Sequence, residues 1–317
     1  MGAQLRVYRR RIRSVTATKK ITRAMELIAS SRIVKAQQRV EATLPYTNTL
    51  VQALSAAASH TRSDHPLLAA AKDHKRAGVI ILTADRGLAG GYSINTLKEA
   101  DRLAALLRDE RDMQVVHWLM GRKAIGYFKF RGRPIEAEYT GFTESPSFSD
   151  AKMIAEAVLE RFLQPTDEGG LDEIFLVYTH YVNRVRQEPR VIRILPLEVE
   201  EAPSDAATAV NSPDAGTVAA KSGQLLPMFD FEPSAEAVLD SLLPKYVVSL
   251  IYTSLLLAAA SEHAARQRAM SSATDNAGEL IKTLTRQANQ ARQAEITQEI
   301  SEIVGGADAL ASANSGS

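Results

Sequence analysis

The sequence contains no cysteine. Disulfides, thiolate metal sites and cysteine nucleophiles are excluded together, and the absence fits a reducing compartment. The longest uncharged apolar run, Tyr246 to Ser261, has sixteen residues. That is short of the roughly 20 a membrane span needs, so a buried helix is expected there. No continuous apolar core follows the N-terminus, and no secretory signal is visible. Acids are almost missing from the start of the chain: Met1 to Val40 holds eleven basic residues against Glu26 alone. Helix breakers are missing there too, since Pro45 is the one proline or glycine between Leu5 and Ser59.

What is present is a globular balance: 317 residues, 45% hydrophobic and 24% charged, with 38 basic and 37 acidic side chains. That length suffices for two or three folding units. In the N-terminal segment Leu5, Tyr8, Ile12 and Val15 recur at the three-four spacing of a coiled-coil seam. The phase then slips, and Ile21, Met25 and Ile28 are expected to resume it. Between Ala77 and Leu197 the rhythm changes to short apolar runs alternating with helical periods. Strands are expected at Ala77–Ala84, Gln114–Gly121, Pro134–Thr140, Glu173–Tyr181 and Arg190–Val199. A helix over 149–164 has Ser147 or Ser149 as cap. This is the pattern of an α/β layer with a mostly parallel sheet. Residues 198–224 are rich in Ala, Ser, Pro and Gly and read as a mobile linker or loop. A second helical block follows, with Pro244 expected to break its first part. Its seam runs through Ile281, Leu284, Ala288 and Ala291. It shifts by a five-residue step to Ile296, Ile300, Ile303, Ala307 and Leu310.

The economical way to bury two striped helices at opposite ends of a chain is against each other. The expected fold is a long antiparallel two-helix coiled coil with an inserted α/β, Rossmann-like domain. Its parts are an N-terminal helix (1–60), the α/β domain (77–198), a flexible loop (199–230), a C-terminal helix (231–312) and a tail (313–317).

The motifs discriminate less. The turn "TADRGLAGGY" (Thr83–Tyr92) has three glycines that could hold a phosphate, but it lacks the P-loop lysine and hydroxyl pair and reads as a structural turn. The six histidines form no metal spacing, and no G-x-S-x-G or SxxK nucleophile motif is present. Arg9, Arg10, Arg11, Arg13, Lys19, Lys20 and Arg23 surround the first seam. Such a helix suits an acidic protein surface, nucleic-acid phosphates, a transit segment or plain solvation. In "ARQAEITQEI", Arg292, Glu295, Glu299 and Glu302 share one helical stripe while Gln293 and Thr297 share its neighbour. This is either an exposed face or a polar handle for a partner.

Four blocks of the sequence carry a resemblance: "RRRIRSVTATKKITRAMELIASSRIVKAQQR" (Arg9–Arg39), "TADRGLAGGYSIN" (Thr83–Asn95), "SEHAARQRAMSSATDNAGELIKTL" (Ser261–Leu284) and "ARQAEITQEISEIVGGADAL" (Ala291–Leu310). In content and order the sequence resembles the γ subunits of F-type ATP synthases, of a bacterial, actinobacterial-like type. The resemblance implies a non-catalytic rotor without cofactor or metal, at the cytoplasmic face of the plasma membrane. Its partners would be the α and β subunits of the catalytic hexamer, the ε subunit and the c-subunit ring, and it would touch the membrane only through them. It implies β-subunit contact at Arg292, Gln293, Thr297, Glu299 and Met25, with Lys19, Lys20, Arg23 and Arg266 facing an acidic lever segment. It implies an apolar bearing tip at Ile303, Val304 and Leu310, and c-ring or ε contact at Phe229, Phe231, Asp85, Arg86 and Leu88. Ala89 stands where the family often has cysteine, and thiol regulation of the chloroplast kind is ruled out. The rival class, on the residues alone, is a basic coiled-coil nucleic-acid binder.

Overall fold

The computed structural model of the protein describes residues 3–60, 67, 75–202, 217–221, 232 and 234–315. In chain order the elements are α1 (Ala3–His60), β1 (Arg76–Leu82), α2 (Tyr92–Asp109), β2 (Gln114–Met120), α3 (Arg122–Phe130), β3 (Ala137–Tyr139), α4 (Phe148–Leu163), β4 (Glu173–Tyr181), β5 (Gln187–Leu195), β6 (Glu198–Ala202), β7 (Thr217–Lys221) and α5 (Ala235–Ser315). They form two compact units: residues 1–28 with 267–317, and residues 29–266.

The larger unit is built on a five-stranded sheet of order β3-β2-β1-β4-β5. β3, β2, β1 and β4 run parallel and β5 is antiparallel to β4. β1 is central, which is why its sequence is apolar on both faces. Val79 and Ile81 join a core with Leu97, Ala100 and Leu107 of α2 and Ala124, Ile125 and Phe128 of α3. Ile80 and Leu82 point the other way, into a core shared with Ile154 and Val158 of α4, Ile33 and Leu54 of α1, and Val247 and Ile251 of α5. The expected buried helix is found here, with Tyr246 to Ser261 almost wholly inside this unit.

Local chemistry sets the boundaries. Ser147 caps α4 by accepting from the Asp150 backbone N–H, while the Asp150 carboxylate accepts from that of Ser147. Such a cap is worth about 1 kcal/mol. Asn183 Oδ1 accepts from the backbone N–H groups of Val185 and Arg186, closing the tight turn that brings β5 back beside β4. Gly121 joins β2 to α3 at φ +91°, and a Cβ there would lie 2.4 Å from the Thr83 carbonyl oxygen. No side chain fits at that position.

Three expectations change. Pro244 does not break its helix, and Pro45 stays inside α1. A proline inside a helix costs ~3 kcal/mol. Burial of Leu239, Leu243, Tyr246 and Val247 around Pro244 offsets this, at roughly 1.5–3 kcal/mol for each large apolar side chain. The fifth strand starts three residues earlier than expected and ends at Leu195. Within the segment expected as a loop, residues 198–202 and 217–221 pair as two short parallel strands, β6 and β7.

The smaller unit consists of the first part of α1 and the last part of α5, paired antiparallel. Thr22 Oγ1 lies 2.7 Å from Thr274 Oγ1. In the larger unit the same two helices meet at Thr47 Oγ1 and Ser249 Oγ, 2.9 Å apart. Along α1 the inward positions are Leu5, Tyr8, Ile12, Val15, Lys19, Thr22, Glu26, Ala29, Ile33, Ala36, Val40, Thr43, Thr47, Leu50, Leu54 and Ala57. They follow an unbroken three-four alternation, and all but Lys19 are buried or half-buried. The expected phase slip does not occur. Ile21 and Ile28 point outward, 61% and 52% exposed.

Candidate partner-contact sites

In the smaller unit the polar seam positions have specific neighbours. The Thr22 hydroxyl is within reach of Thr274 and of the Lys19 carbonyl, and the Thr274 hydroxyl is within reach of the Met270 carbonyl. Two protons serve three contacts, so one hydroxyl donates across the seam and the other to its own helix. Lys19 passes over Gly278, and a Cβ on that glycine would stand 3.2 Å from the lysine Nζ. Glu26 is turned inward and held by Arg23 Nη1 at 2.8 Å. Arg23 is therefore partly neutralised by its own helix, whereas Lys19 and Lys20 are exposed. Met25 is half-buried at the seam edge.

Counting from the Thr22–Thr274 contact, Ala291, where the C-terminal stripe takes its five-residue step, stands level with Leu5. Arg292, Gln293, Thr297 and Glu299 are all exposed. The Thr297 hydroxyl donates to the Gln293 carbonyl at 3.0 Å, which leaves its lone pairs and the Gln293 amide for other partners. One turn further, Ile300, Ile303 and Val304 are 56%, 72% and 54% exposed. Leu310 lies in the helix, and its side chain is outside the described residues.

The larger unit carries the Asp85–Leu88 turn, directly after central strand β1. Asp85 is a fastener rather than a free acid. Its Oδ2 accepts from the backbone N–H of Gly141 at 2.7 Å and its Oδ1 from that of Arg122 at 3.3 Å. Its own N–H donates to Thr143 Oγ1 at 3.0 Å. Arg86 and Leu88 project from this anchored turn, Leu88 at φ +63° and 59% exposed. Phe229 and Phe231 lie outside the described residues.

Arg266 is not where the sequence reading put it. It is 6% exposed, and its guanidinium reaches Glu262 Oε1 at 2.6 Å, Glu144 Oε1 at 3.3 Å and the Gly87 carbonyl at 3.5 Å, all within the larger unit. A cation with this enclosure and these partners has no face left for an external acidic segment. Glu144 also pairs with Arg32 and lies 3.5 Å from Arg86. This cluster joins residues far apart in the sequence. Its one local signal was the four-residue spacing of Glu262 and Arg266 on a helix; Glu144 comes from a distant loop. Burial pushes the Glu262 carboxyl up to about 7, with Arg266 opposing, and pushes the His263 imidazole down to about 4. Among the described residues no group of three or more His, Asp or Glu could hold a metal ion.

Comparison with known proteins gives the family of the chain. The sequence profile of the family described as ATP synthase matches residues 4–310. The ATP synthase gamma chain of Thermobifida fusca is 56% identical over 317 residues, covering 100% of both chains. That of Kineococcus radiotolerans is 58% identical, covering 99% of each. A chain in the solved Euglena gracilis mitochondrial ATP synthase superposes with a TM-score of 0.63 at 15% identity, covering 98% of this chain and 95% of that one. One from the central stalk and c ring of the Tetrahymena thermophila enzyme gives 0.54 at 22% identity, covering 80% and 99%. These two likenesses speak for the fold alone. None of the comparisons supports the nucleic-acid alternative. With matches of more than half identity along its whole length, and with paired helices at its two ends flanking an α/β unit in sequence, this chain belongs to the ATP synthase gamma-chain family.

Proposed function

We propose that the chain is the central rotor shaft of an F-type ATP synthase, coupling proton-driven rotation of a c ring to the conformational cycle of catalytic β subunits. The observation that carries this is the exposed last part of α5, polar over Arg292, Gln293, Thr297 and Glu299 and apolar after it at Ile300, Ile303 and Val304. A shaft turning inside a sleeve needs a grip and a bearing. Arg292 and Gln293, with Thr297 and Glu299, form the grip on one β subunit at a time; Met25, Lys19, Lys20 and the partly neutralised Arg23 flank the seam as further contacts. Ile303 and Val304, with Leu310, form the bearing. Apolar contacts are non-directional and make shallow angular wells. A desolvated ion pair there would have to break at every step, at several kcal/mol. The Asp85–Leu88 turn, with Phe229 and Phe231, forms the c-ring or ε contact. The chain itself is non-catalytic and works without a cofactor at the cytoplasmic face of a bacterial plasma membrane, meeting that membrane through its partners.

The test is co-expression of the tagged chain with the α and β subunits of the same complex. Arg292→Ala and Gln293→Leu are expected to weaken assembly by at least about tenfold, or ~1.4 kcal/mol, while Glu198→Ala leaves it unchanged. Equal effects of the three substitutions would remove the grip assignment. Failure of the unaltered chain to co-purify with α and β would remove the rotor reading.

A further inference from the structure

We propose that Glu262 is a proton-binding site whose occupancy sets how firmly the 142–145 loop and the Asp85–Leu88 turn are held on α5. The carboxyl is enclosed, its side chain 1% exposed. Oε1 accepts from Arg266, and Oε2 has no protein hydrogen-bond partner among the described residues. A second carboxylate, Glu144, reaches the same guanidinium from the loop, so one arginine serves two acids, at 2.6 Å and 3.3 Å.

Every element packed around the site contributes a group, and each can be assigned a charge. α1 supplies Arg32 and the turn supplies Arg86, but both bond Glu144 rather than Glu262. α2 supplies Tyr92, whose burial beside Glu262 raises it well above its usual range and keeps it neutral. The loop supplies Glu144 and the neutral Thr143 hydroxyl. α5 supplies Arg266 and His263. His263 Nε2 lies 3.0 Å from the Glu144 backbone carbonyl, an acceptor only, so Nε2 carries the proton. Nδ1 is then the acceptor facing Arg266 Nη1 at 3.4 Å, which fixes a neutral imidazole. Glu262 is the acid of this cluster whose charge is set by enclosure, its side chain 1% exposed against 17% for Glu144.

The proton comes from water and returns to water. While it sits on Glu262 the site holds one negative charge, and Arg266 is free to serve Glu144. Its loss leaves two carboxylates on the Arg266 guanidinium: Glu144, 17% exposed, keeps Arg32 and Arg86 as further partners, whereas the enclosed Glu262 draws its cation from Arg266. Arg266 already lies closer to Glu262, so the contact that gives way is the one to Glu144. That contact is one of those that fasten the loop, beside Arg32 on the same carboxylate and His263 on the Glu144 carbonyl. The loop carries Thr143, which holds the Asp85 N–H, and Arg266 also holds the Gly87 carbonyl. Raising the pH therefore loosens the turn from two sides.

Hydrogen exchange of the full-length chain tests this, at about pH 6 and about pH 8, with rates corrected for intrinsic exchange. Peptides covering 85–91 and 141–147 are expected to open several-fold more often at the higher pH, while β4 serves as the unchanged reference. Glu262→Gln is expected to abolish the difference. Persistence of the pH effect in that variant overturns the proposal, as does its absence in the unaltered chain. If Glu262→Gln does not fold, carbon NMR of the glutamate carboxyls in the unaltered chain decides. One carboxyl titrating between about pH 6 and about pH 8 is expected, and none titrating above about pH 5 overturns it.

Discussion

Single residues in this chain are placed by what surrounds them more than by what they are. His117 sits on β2, 9% exposed, with its ring edge-on to Phe128 at 4.8 Å. Burial, then the charges of Arg133 and Arg108, push its imidazole down to about 4. Its folded pKa thus lies below the unfolded value near 6.5, as does that of His263. For such groups the stabilisation is complete above the unfolded pKa and is lost as the pH falls toward 4. Glu262 works in the opposite sense: held neutral in the fold up to about 7, it contributes stability at low pH that is lost as the pH rises from its unfolded value. Between pH 6.5 and 4 the two histidines outnumber the one carboxyl. His117→Gln is expected to reduce the pH slope of stability in that window by about one proton, or ~1.4 kcal/mol per pH unit. Urea denaturation at several pH values, followed by the fluorescence of buried Trp118 in the same unit, measures it. An unchanged slope would show that His117 is protonated in the folded protein.

At the scale of elements, the sequence was most legible where one period ruled. The strand 173–181 was read to the residue, because a run buried on both faces has unambiguous ends. The helical ends of the chain were also legible, but the seam of α1 was not. Ile21 and Ile28 are apolar and correctly spaced, so a reading by hydrophobicity follows them outward. The actual seam keeps its phase through Lys19, Thr22 and Glu26, because the facing helix offers Gly278 and Thr274 and because Arg23 reaches back to Glu26. Those compensations come from the far end of the chain, and no local window contains them. The ion cluster at Arg266 was hidden for the same reason, while Arg292 and Gln293 are exposed and their surroundings in sequence are their surroundings in the helix. Gly278 then gives a prediction whose sign is decided by magnitudes. Glycine inside a helix costs roughly 0.5–1 kcal/mol relative to alanine. The one atom group near an added Cβ is the mobile end of Lys19, at 3.2 Å and 3.8 Å. Moving it costs less than the helix gains. Gly278→Ala is expected to stabilise the smaller unit by about 0.5 kcal/mol, read as a higher helix-melting midpoint by circular dichroism. A lower midpoint would mean that the lysine is held in place by more than its own seam.

At the scale of the molecule, the two units differ in what holds them. The larger one has a sheet with apolar cores on both faces, and Trp118, Phe128, Ile80, Ile81 and Leu119 are among its fully buried side chains. In the smaller one the buried side chains, among the described residues, are Leu5, Thr22, Met270, Thr274, Ala277, Leu284 and Ala288. Three of those seven are large and apolar, at roughly 1.5–3 kcal/mol each. Against them stands the conformational entropy of ordering two helical segments, at about 1–2 kcal/mol per residue before hydrogen bonds are counted. Such a pair is marginal alone and opens more readily than a packed sheet. Hydrogen exchange on the free chain is therefore expected to show α1 up to Ile28 and α5 after Arg266 opening far more often than β1 or β4. A partner that binds the closed pair raises its protection by mass action, since it binds the folded form and not the open one. On assembly with α and β subunits, protection of those two segments should rise by about a hundredfold, equivalent to ~2.7 kcal/mol, with β1 and β4 unchanged. A shaft already as protected when free as when assembled would mean that its rigidity is its own. A shaft that gains protection takes its stiffness from the sleeve in which it turns.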